Sequence, residues 1–151
     1  MDVEKVIREY IDRTVHMSLA TSRDGQPWVC EVHFTYDEGL NLYFRSLASR
    51  RHSQEIAENP RVAGDIIDKY DLGETVVGVY FEGRASMVTD RKEIEKITPH
   101  FIDRLNQNDS IIEEALTEDG HKMYKITVTG WCVFGRFGQP SGQKYQLKWN
   151  D

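Results

Sequence analysis

The chain has 151 residues, a length typical of one domain with a substantial hydrophobic core. Hydrophobic residues make up 39% of the chain and charged residues 29%, a composition that excludes a disordered chain. The net charge of −6 argues against nucleic acid as the main partner, because binding phosphate backbones needs a basic face. We expect a single domain over residues 1–151.

The first segment predicts an amphipathic helix. Its apolar residues recur at helical spacing, at Val3, Val6, Ile7, Tyr10 and Ile11, with charged residues between them. This charged opening lacks the apolar core of a signal peptide, and no later stretch holds roughly 18 consecutive apolar residues. We therefore expect a cytoplasmic protein that makes no membrane contact.

Residues 15–46 predict three antiparallel strands joined as a meander. The strands cover residues 15–22, 28–37 and 40–46. Asp24-Gly25 and Glu38-Gly39 mark the two turns between them. The second strand alternates strictly, which indicates one polar and one apolar face. The apolar face carries Trp28, Cys30, Val32, Phe34 and Tyr36.

The remainder of the chain predicts four more strands and three helices. The helices cover residues 49–59, 90–105 and 110–116, and the strands cover residues 61–67, 75–88, 124–137 and 143–149. Pro99 is expected to split its helix, because proline removes a backbone hydrogen bond. Gly78 and Gly83 indicate a bulge or a close backbone approach within a strand. About seven sequential strands and three to five short helices predict a mainly β, antiparallel barrel or sandwich.

The helix at residues 49–59 opens with cations, although helix N-termini favour acids. Ser49 is the expected N-cap, and Arg50, Arg51 and His52 follow it, with no acid before Glu55. A bound dianion would resolve this conflict, because the free N–H groups, the serine hydroxyl and two guanidinium groups would converge on one phosphate. The alternative is that both arginines point into water.

Three segments resemble the pyridoxamine 5'-phosphate oxidase-like family of FMN-binding split β-barrels. LATSRDGQP resembles the family's first hairpin, LYFRSLASRRHSQEIAENPRV its phosphate-binding segment, and VYFEGRASMV the strand with its E-G-x-A pattern. The three segments span residues 19–88 in the family's order. The resemblance implies an antiparallel Greek-key split barrel, an FMN cofactor, and a homodimer with the cofactor at its interface.

The resemblance also implies which residues contact the cofactor. Arg50 and Arg51 stand where the family binds the phosphate, with Ser49 before them. Phe44 and Arg45 take the place of a Tyr-Thr pair beside the flavin. The full predicted set is Val32, His33, Phe34, Phe44, Arg45, Ser46, Ser49, Arg50 and Arg51. We expect hydride transfer near His33 and Arg45, with the arginine charge stabilising the reduced flavin.

The chain departs from the oxidase members of this family at several positions. Cys30 and Thr35 replace an arginine and a lysine, Gly78 replaces a glutamine, and QKYQLKWND lacks the substrate-binding Arg-Leu-His-like run. We therefore expect an FMN-dependent oxidoreductase that acts on an unknown small molecule and does not form pyridoxal phosphate. The alternatives are a non-catalytic binder of flavin or another ligand, or a relative that uses deazaflavin or haem. Haem would need an axial ligand such as His33 or His121.

The C-terminal run GWCVFGRFGQPSG is rich in aromatic residues and glycine. Trp131, Phe134 or Phe137 could stack on the flavin of the partner subunit, although a hairpin with core aromatics is the more ordinary interpretation.

The histidines and cysteines show no metal-binding spacing. We therefore expect no metal site. We expect Cys30 and Cys132 to be small buried hydrophobic residues.

Overall fold

The computed structural model describes residues 1–135 and 143–150. The described residues form four helices, α1 (Val3–Ile11), α2 (Arg51–Glu58), α3 (Arg91–Leu105) and α4 (Ser110–Leu116). They also form eight strands, β1 (His16–Arg23), β2 (Gln26–His33), β3 (Thr35–Tyr36), β4 (Leu42–Ser46), β5 (Arg61–Ile66), β6 (Gly78–Val88), β7 (Lys122–Gly135) and β8 (Gln143–Lys148). Within these ranges, no helix combines the length and the apolar composition needed to cross a membrane.

The strands form one curled antiparallel sheet. Their order is β2-β1-β5-β6-β7-β4-β3, and β8 pairs with residues 130–135 of β7. The two ends of this order, β2 and β3, are separated in the chain by Phe34 alone. The sheet therefore curls until its edges meet, as in a barrel. The predicted mainly β split barrel is confirmed.

The predicted three-stranded meander is wrong in its second strand, which is broken at Phe34. The N–H of Phe34 turns back to donate to the carbonyl of Val15 at 2.9 Å, which ends β2. The next two residues pair with β4 instead, so the predicted strand at 28–37 is two strands. The long partner of β4 is β7, with Phe44 opposite Tyr124. Local periodicity predicted the strands but carries no signal for this long-range pairing.

The predicted bulge in β6 is confirmed. The pairing register between β6 and β7 shifts between Glu82 and Gly83. A Cβ atom at Gly83 would lie 2.4 Å from the carbonyl oxygen of Thr127, so a side chain has no room there. The bulge bends the strand where the barrel curves.

The main core fills the barrel and is closed at one end by α1. Its largest fully buried side chains include Met17, Leu19, Phe34, Leu42, Phe44 and Trp131. The predicted amphipathic face of α1 is confirmed, because Ile7, Tyr10 and Ile11 are buried against this core. The Tyr10 hydroxyl donates to the carbonyl of Val77 at 3.1 Å and fixes the helix to the approach to β6.

A second core holds α3 and α4 against the outside of β4 and β7. Ile97 and Phe101 of α3 are buried in it, and Asp90 caps α3 by accepting from the N–H of Glu93. The predicted split at Pro99 is wrong, since α3 runs unbroken through it. Pro99 lies on the exposed face, so burial of the opposite face outweighs one lost backbone hydrogen bond. This core positions the two helices beside the barrel opening.

Candidate functional site

A cavity of about 520 Å³ lies beside the barrel, where β2, β4 and the first turn of α2 face α3 and the loops around α4. Its lining residues are His16, Glu31, Val32, His33, Arg45, Ser46, His52, Phe101, Leu105, Gln107 and His121. Small-molecule sites commonly have volumes of roughly 300–1,000 Å³ and combine an apolar wall with a few polar groups. Here Val32, Phe101 and Leu105 supply the apolar wall.

Arg45 is the cation inside this cavity, and its charge is already paired. Its guanidinium donates to Gln107 Oε1 at 2.8 Å and to Glu114 Oε2 at 2.7 Å. Burial opposes ionisation of Glu114, but hydrogen bonds from His121 and the charge of Arg45 outweigh it, so the pKa of that carboxyl is lowered. The role of Arg45 in stabilising a reduced flavin stays a prediction, and its guanidinium already has two partners within the protein.

His121 completes this network on the α4 side of the cavity. Its Nδ1 lies 2.8 Å from Glu114 Oε1, while the other carboxylate oxygen accepts from Arg45. The carboxylate thus orients the His121 ring and ties the α4–β7 loop to β4.

A second glutamate–histidine pair stands on the β1–β2 hairpin. His16 Nδ1 lies 3.0 Å from Glu31 Oε1, and the rings of His16 and His33 have centroids 4.8 Å apart. The hairpin register places His16 directly opposite His33. All three side chains line the cavity. In the described part of the chain, no three His, Cys, Asp or Glu side chains gather closely enough to hold a metal ion.

His52 joins the cavity to the start of α2. Its Nε2 lies 2.8 Å from Ser46 Oγ at the end of β4. Burial lowers the pKa of His52, and the nearby charge of Arg50 lowers it further. The ring is therefore neutral near pH 7, and it can donate or accept a hydrogen bond with Ser46 without carrying charge.

Helix α2 starts one residue later than predicted. Its N-cap is Arg50, with extended backbone at φ −67° and ψ 148°, and no side chain in the described ranges caps it. Ser49 is exposed in the preceding turn, which the N–H of Arg50 closes by donating to the Leu47 carbonyl at 3.1 Å. The prediction that Ser49 caps the helix is wrong, because this turn uses the serine as a loop residue.

Arg51 is held by partners of its own. Its Nε donates to Glu55 Oε2 at 2.7 Å, and its guanidinium carbon lies 4.0 Å from the centre of the Trp28 ring. Glu55 is buried and also accepts from the Thr21 hydroxyl at 2.8 Å. The hydrogen bond from Arg51 lowers the pKa of Glu55 against the opposing effect of burial. The charge of Arg51, one of the two arginines at the start of α2, is thus paired with the carboxylate of Glu55 in the same helix.

Arg50 is exposed, and its guanidinium has no hydrogen-bond partner among residues 1–135 and 143–150. The cavity approaches α2 at His52, and Ser49, Arg50 and Arg51 lie outside its lining. The structure therefore brings four of the nine predicted cofactor residues together in the cavity: Val32, His33, Arg45 and Ser46. The three residues at the start of α2 stand beyond its edge.

Phe34 and Phe44 do not offer side chains to the cavity. Both are fully buried, and Phe44 stacks on Tyr124 with ring centroids 5.0 Å apart. Successive residues of a strand point to opposite faces, so His33 and Arg45 face the cavity while Phe34 and Phe44 fill the core. The predicted cofactor contact of Phe34 and Phe44 stays a prediction, and it would have to involve atoms other than their buried rings.

Seven lining residues were absent from the predicted FMN-binding set, although His121 was named as a possible haem ligand. They are His16, Glu31, His52, Phe101, Leu105, Gln107 and His121. Two had a usable signal, since Glu31 shares the polar face of its strand with His33, and the Asp24-Gly25 turn sets His16 opposite that histidine. The α3 and loop residues had none, because their approach depends on packing in the second core.

Of the C-terminal aromatic residues that are described, Trp131 lies in the core and Phe134 is partly buried on the outer face. Trp131 is buried edge-on to Phe81, and Phe134 stacks on Tyr80 with centroids 4.6 Å apart. Phe137 lies outside the described residues.

The two cysteines are free and half-buried rather than fully buried. Burial raises the pKa of Cys30, which keeps that thiol protonated near neutral pH.

The pyridoxamine 5'-phosphate oxidase family matches residues 3–132, which is most of the chain. This chain belongs to that family. A UPF0306 protein of Pasteurella multocida (strain Pm70) is 26% identical over 87 residues, which are 57% of this chain and 58% of that relative. The aligned part therefore spans just over half of the relative's length.

Solved structures confirm the split-barrel fold of this pyridoxamine 5'-phosphate oxidase family member. A conserved hypothetical protein of Mycobacterium tuberculosis superimposes with a TM-score of 0.74, at 20% identity over 91% of this chain and 88% of that one. An FAD-binding protein of Mesorhizobium loti gives 0.67, at 19% identity over 85% and 89%. A haem-binding protein of Mycobacterium smegmatis gives 0.69, at 16% identity over 92% and 57%.

Proposed function

We propose that this protein is a cytoplasmic flavoprotein that binds FMN in the cavity and serves as an oxidoreductase for a small molecule. One observation carries the proposal. In a member of this family, a cavity of about 520 Å³ is lined by residues of β2 and β4 and by His52 in the first turn of α2, whose N-terminus is uncapped.

The residues present fit a flavin phosphate ester in chemical type. The apolar wall of Val32, Phe101 and Leu105 suits a planar ring, and Ser46 can bond to ring heteroatoms. The uncapped first turn of α2 and the exposed guanidinium of Arg50 suit a phosphate at the edge of the cavity.

Bound FMN would supply the electron-transfer chemistry of the reaction. The protein residues would then bind and orient it, and the two glutamate–histidine pairs could hold protons at His16 Nε2 and His121 Nε2 on opposite walls. Pyridoxal phosphate formation is not part of this proposal, since Cys30 and Thr35 stand in place of the oxidase arginine and lysine.

The visible spectrum of the purified protein, followed by titration with FMN, tests the proposal. We expect flavin bands and saturable binding. Val32→Trp should abolish binding by filling the apolar wall, whereas Met87→Trp, on an exposed position of β6, should leave it unchanged. Circular dichroism checks that both variants fold. A colourless protein that does not bind added FMN would refute the proposal.

Reduction kinetics separate an enzyme from a non-catalytic flavin carrier. We expect NADH or NADPH to bleach the bound flavin, and a small-molecule acceptor to restore its colour. A flavin that binds but resists both reductants would support the carrier.

Haem is the second candidate ligand, because four of the five histidines line the cavity and could act as axial ligands. The haem-binding neighbour from Mycobacterium smegmatis shares the fold. A Soret band after haemin addition, lost in His33→Ala or His121→Ala, would favour haem over flavin.

A further inference from the structure

We propose that His121 passes the proton to the substrate in the cavity, and that Glu114 and Arg45 are positioning residues that fix which ring nitrogen does so. The inference rests on the proposed function and deepens it, because it assigns proton transfer to one of the two glutamate–histidine pairs. The substrate class that needs such a group is a small molecule with a carbonyl or quinone oxygen that is reduced in the cavity.

The hydrogen bonds around Glu114 determine where the His121 ring carries its proton. Nδ1 of the ring lies 2.8 Å from Glu114 Oε1, which also accepts from the backbone N–H of His121 at 3.3 Å. The other carboxylate oxygen accepts from Arg45 at 2.7 Å. An ionised carboxylate has no proton to donate, so the hydrogen of the ring contact belongs to Nδ1. Nε2 is therefore the nitrogen left for a ligand, on a ring that lines the cavity.

The pair formed by His16 and Glu31 lacks this second anchor. Nδ1 of His16 lies 3.0 Å from Glu31 Oε1, and the two side chains are 53% and 66% exposed. In the described part of the chain, no arginine or lysine pairs with Glu31. Glu114, in contrast, is 36% exposed and is paired with an arginine that is 14% exposed. The carboxylate beside His121 is thus fixed in place, and a catalytic group that is already oriented assists a reaction most.

The proton transfer that we assign to Nε2 balances. Reduction of a carbonyl or quinone by hydride transfer also requires a proton at the oxygen. The protonated ring of His121 supplies it: the Nε2–H bond breaks, an O–H bond forms on the substrate, and the ring becomes neutral with its remaining proton on Nδ1. The hydride is that of the proposed flavoprotein reaction, and a proton from solvent restores the ring. Glu114 balances the positive charge of the protonated ring before the transfer.

Glu114→Gln tests this assignment, because it should move the ring proton while keeping a side chain of the same shape. Arg45 can only donate, so the amide oxygen has to face Arg45 and the amide nitrogen has to face His121. The charge-assisted bond from Arg45 at 2.7 Å outweighs the bond from the His121 backbone at 3.3 Å. Nδ1 then has to accept, which places the ring proton on Nε2. A second proton at Nδ1 would face the amide N–H, so the ring can no longer pass protons through Nε2.

The first measurement is proton–nitrogen correlation NMR of the histidine rings in the protein without added flavin. His121→Gln assigns the signal of that ring by removing it. We expect the wild-type ring of His121 to carry its proton on Nδ1, and the ring in Glu114→Gln to carry it on Nε2. Glu31→Gln is the matched control for the tautomer of His16. No arginine dictates how its amide turns, so we expect no such reversal there.

The second measurement compares two oxidants of the reduced, FMN-loaded protein. Menadione, a quinone, takes up protons on reduction, whereas ferricyanide accepts electrons alone. Glu114→Gln and His121→Gln should each slow reoxidation by menadione about tenfold or more and leave reoxidation by ferricyanide unchanged. Glu113→Gln, the same substitution at an exposed neighbouring position of α4, should change neither rate. Melting temperatures check folding, and the half-exposed His121 keeps the kinetic test available if Glu114→Gln does not fold.

Three results would overturn the inference. They are a wild-type His121 ring with its proton on Nε2, an unchanged tautomer in Glu114→Gln, and reoxidation by menadione that slows no more than reoxidation by ferricyanide. The first two are measured without flavin, so they test the positioning by Glu114 and Arg45 whether or not the protein binds FMN. A protein that binds no FMN would contradict the proposed function, and the proton-transfer role would fail with it.

Discussion

At the scale of single residues, Arg45 connects separate parts of the cavity wall through its side-chain hydrogen bonds. Its side chain is 14% exposed and joins β4 to the α3–α4 loop through Gln107 and to α4 through Glu114. We predict that Arg45→Met lowers the free energy of unfolding by about 1–3 kcal/mol, because Glu114 then loses its partner in a partly buried place. Chemical denaturation measures this loss.

The matched control is Arg91→Met, which removes an exposed ion pair between α3 and α4. Arg91 and Glu113 lie 2.8 Å apart with their side chains 51% and 72% exposed, so solvent screens their attraction. We therefore expect a much smaller loss of stability than in Arg45→Met. Equal losses in the two variants would show that the Arg45 network does not stabilise the cavity wall.

His52 gives the protein a pH dependence of a defined sign. Its pKa is lowered in the folded state, so below about pH 6.5 the unfolded chain binds this proton more readily. Stability therefore falls as the pH drops through that range. We predict that His52→Gln, which can still bond to Ser46, loses less stability than the wild type between pH 7.5 and 5.5. Urea denaturation at both pH values measures the free energy of unfolding. An equal loss in His52→Gln and the wild type would contradict the prediction.

At the scale of the elements, local patterns predicted helices and strands well but not their partners. Alternation identified β2, and helical spacing identified α1, because each pattern reflects burial of one face. The break at Phe34 was not predictable, since it depends on a bond to Val15 in another strand. Pro99 shows the reverse case, in which tertiary packing preserves a helix that local chemistry should end.

Strand β5 packs too closely against its neighbours to accept a side chain at Gly64. A Cβ atom there would lie 2.1 Å from the Ser18 carbonyl oxygen and 2.4 Å from Phe81 Cζ. We predict that Gly64→Ala destabilises the barrel by at least about 2 kcal/mol through forced shifts in both neighbouring strands. Gly39→Ala, whose nearest contacts would be at 3.4 Å, should stay within about 1 kcal/mol. Equal melting temperatures would contradict this account.

At the scale of the whole molecule, the sequence predicted four of the six cavity residues that lie on strands. These are Val32, His33, Arg45 and Ser46, which the family resemblance implied as cofactor-binding residues. The opposite wall comes from residues 101–121, which approach only after two helices pack in the second core. No local pattern encodes that approach, so the wall formed by Phe101, Leu105, Gln107 and His121 was absent from the predicted site.

The homodimer stays a prediction. We expect the two copies to meet at the exposed apolar side chains of the β1–β2 hairpin. Residues 26–29 are exposed in succession, so both faces of this stretch are uncovered. Val29 is 60% exposed and Trp28 41%, apolar area that a second copy of the chain could bury.

We predict that Val29→Glu shifts the protein from dimer to monomer in sedimentation velocity, because a charge at an apolar interface is poorly solvated. FMN affinity should fall together with dimerisation if the cofactor lies at that interface. Met87→Glu, at a position on β6 that is 38% exposed, should leave both unchanged. A wild-type monomer with full FMN affinity would show instead that one chain forms the complete site.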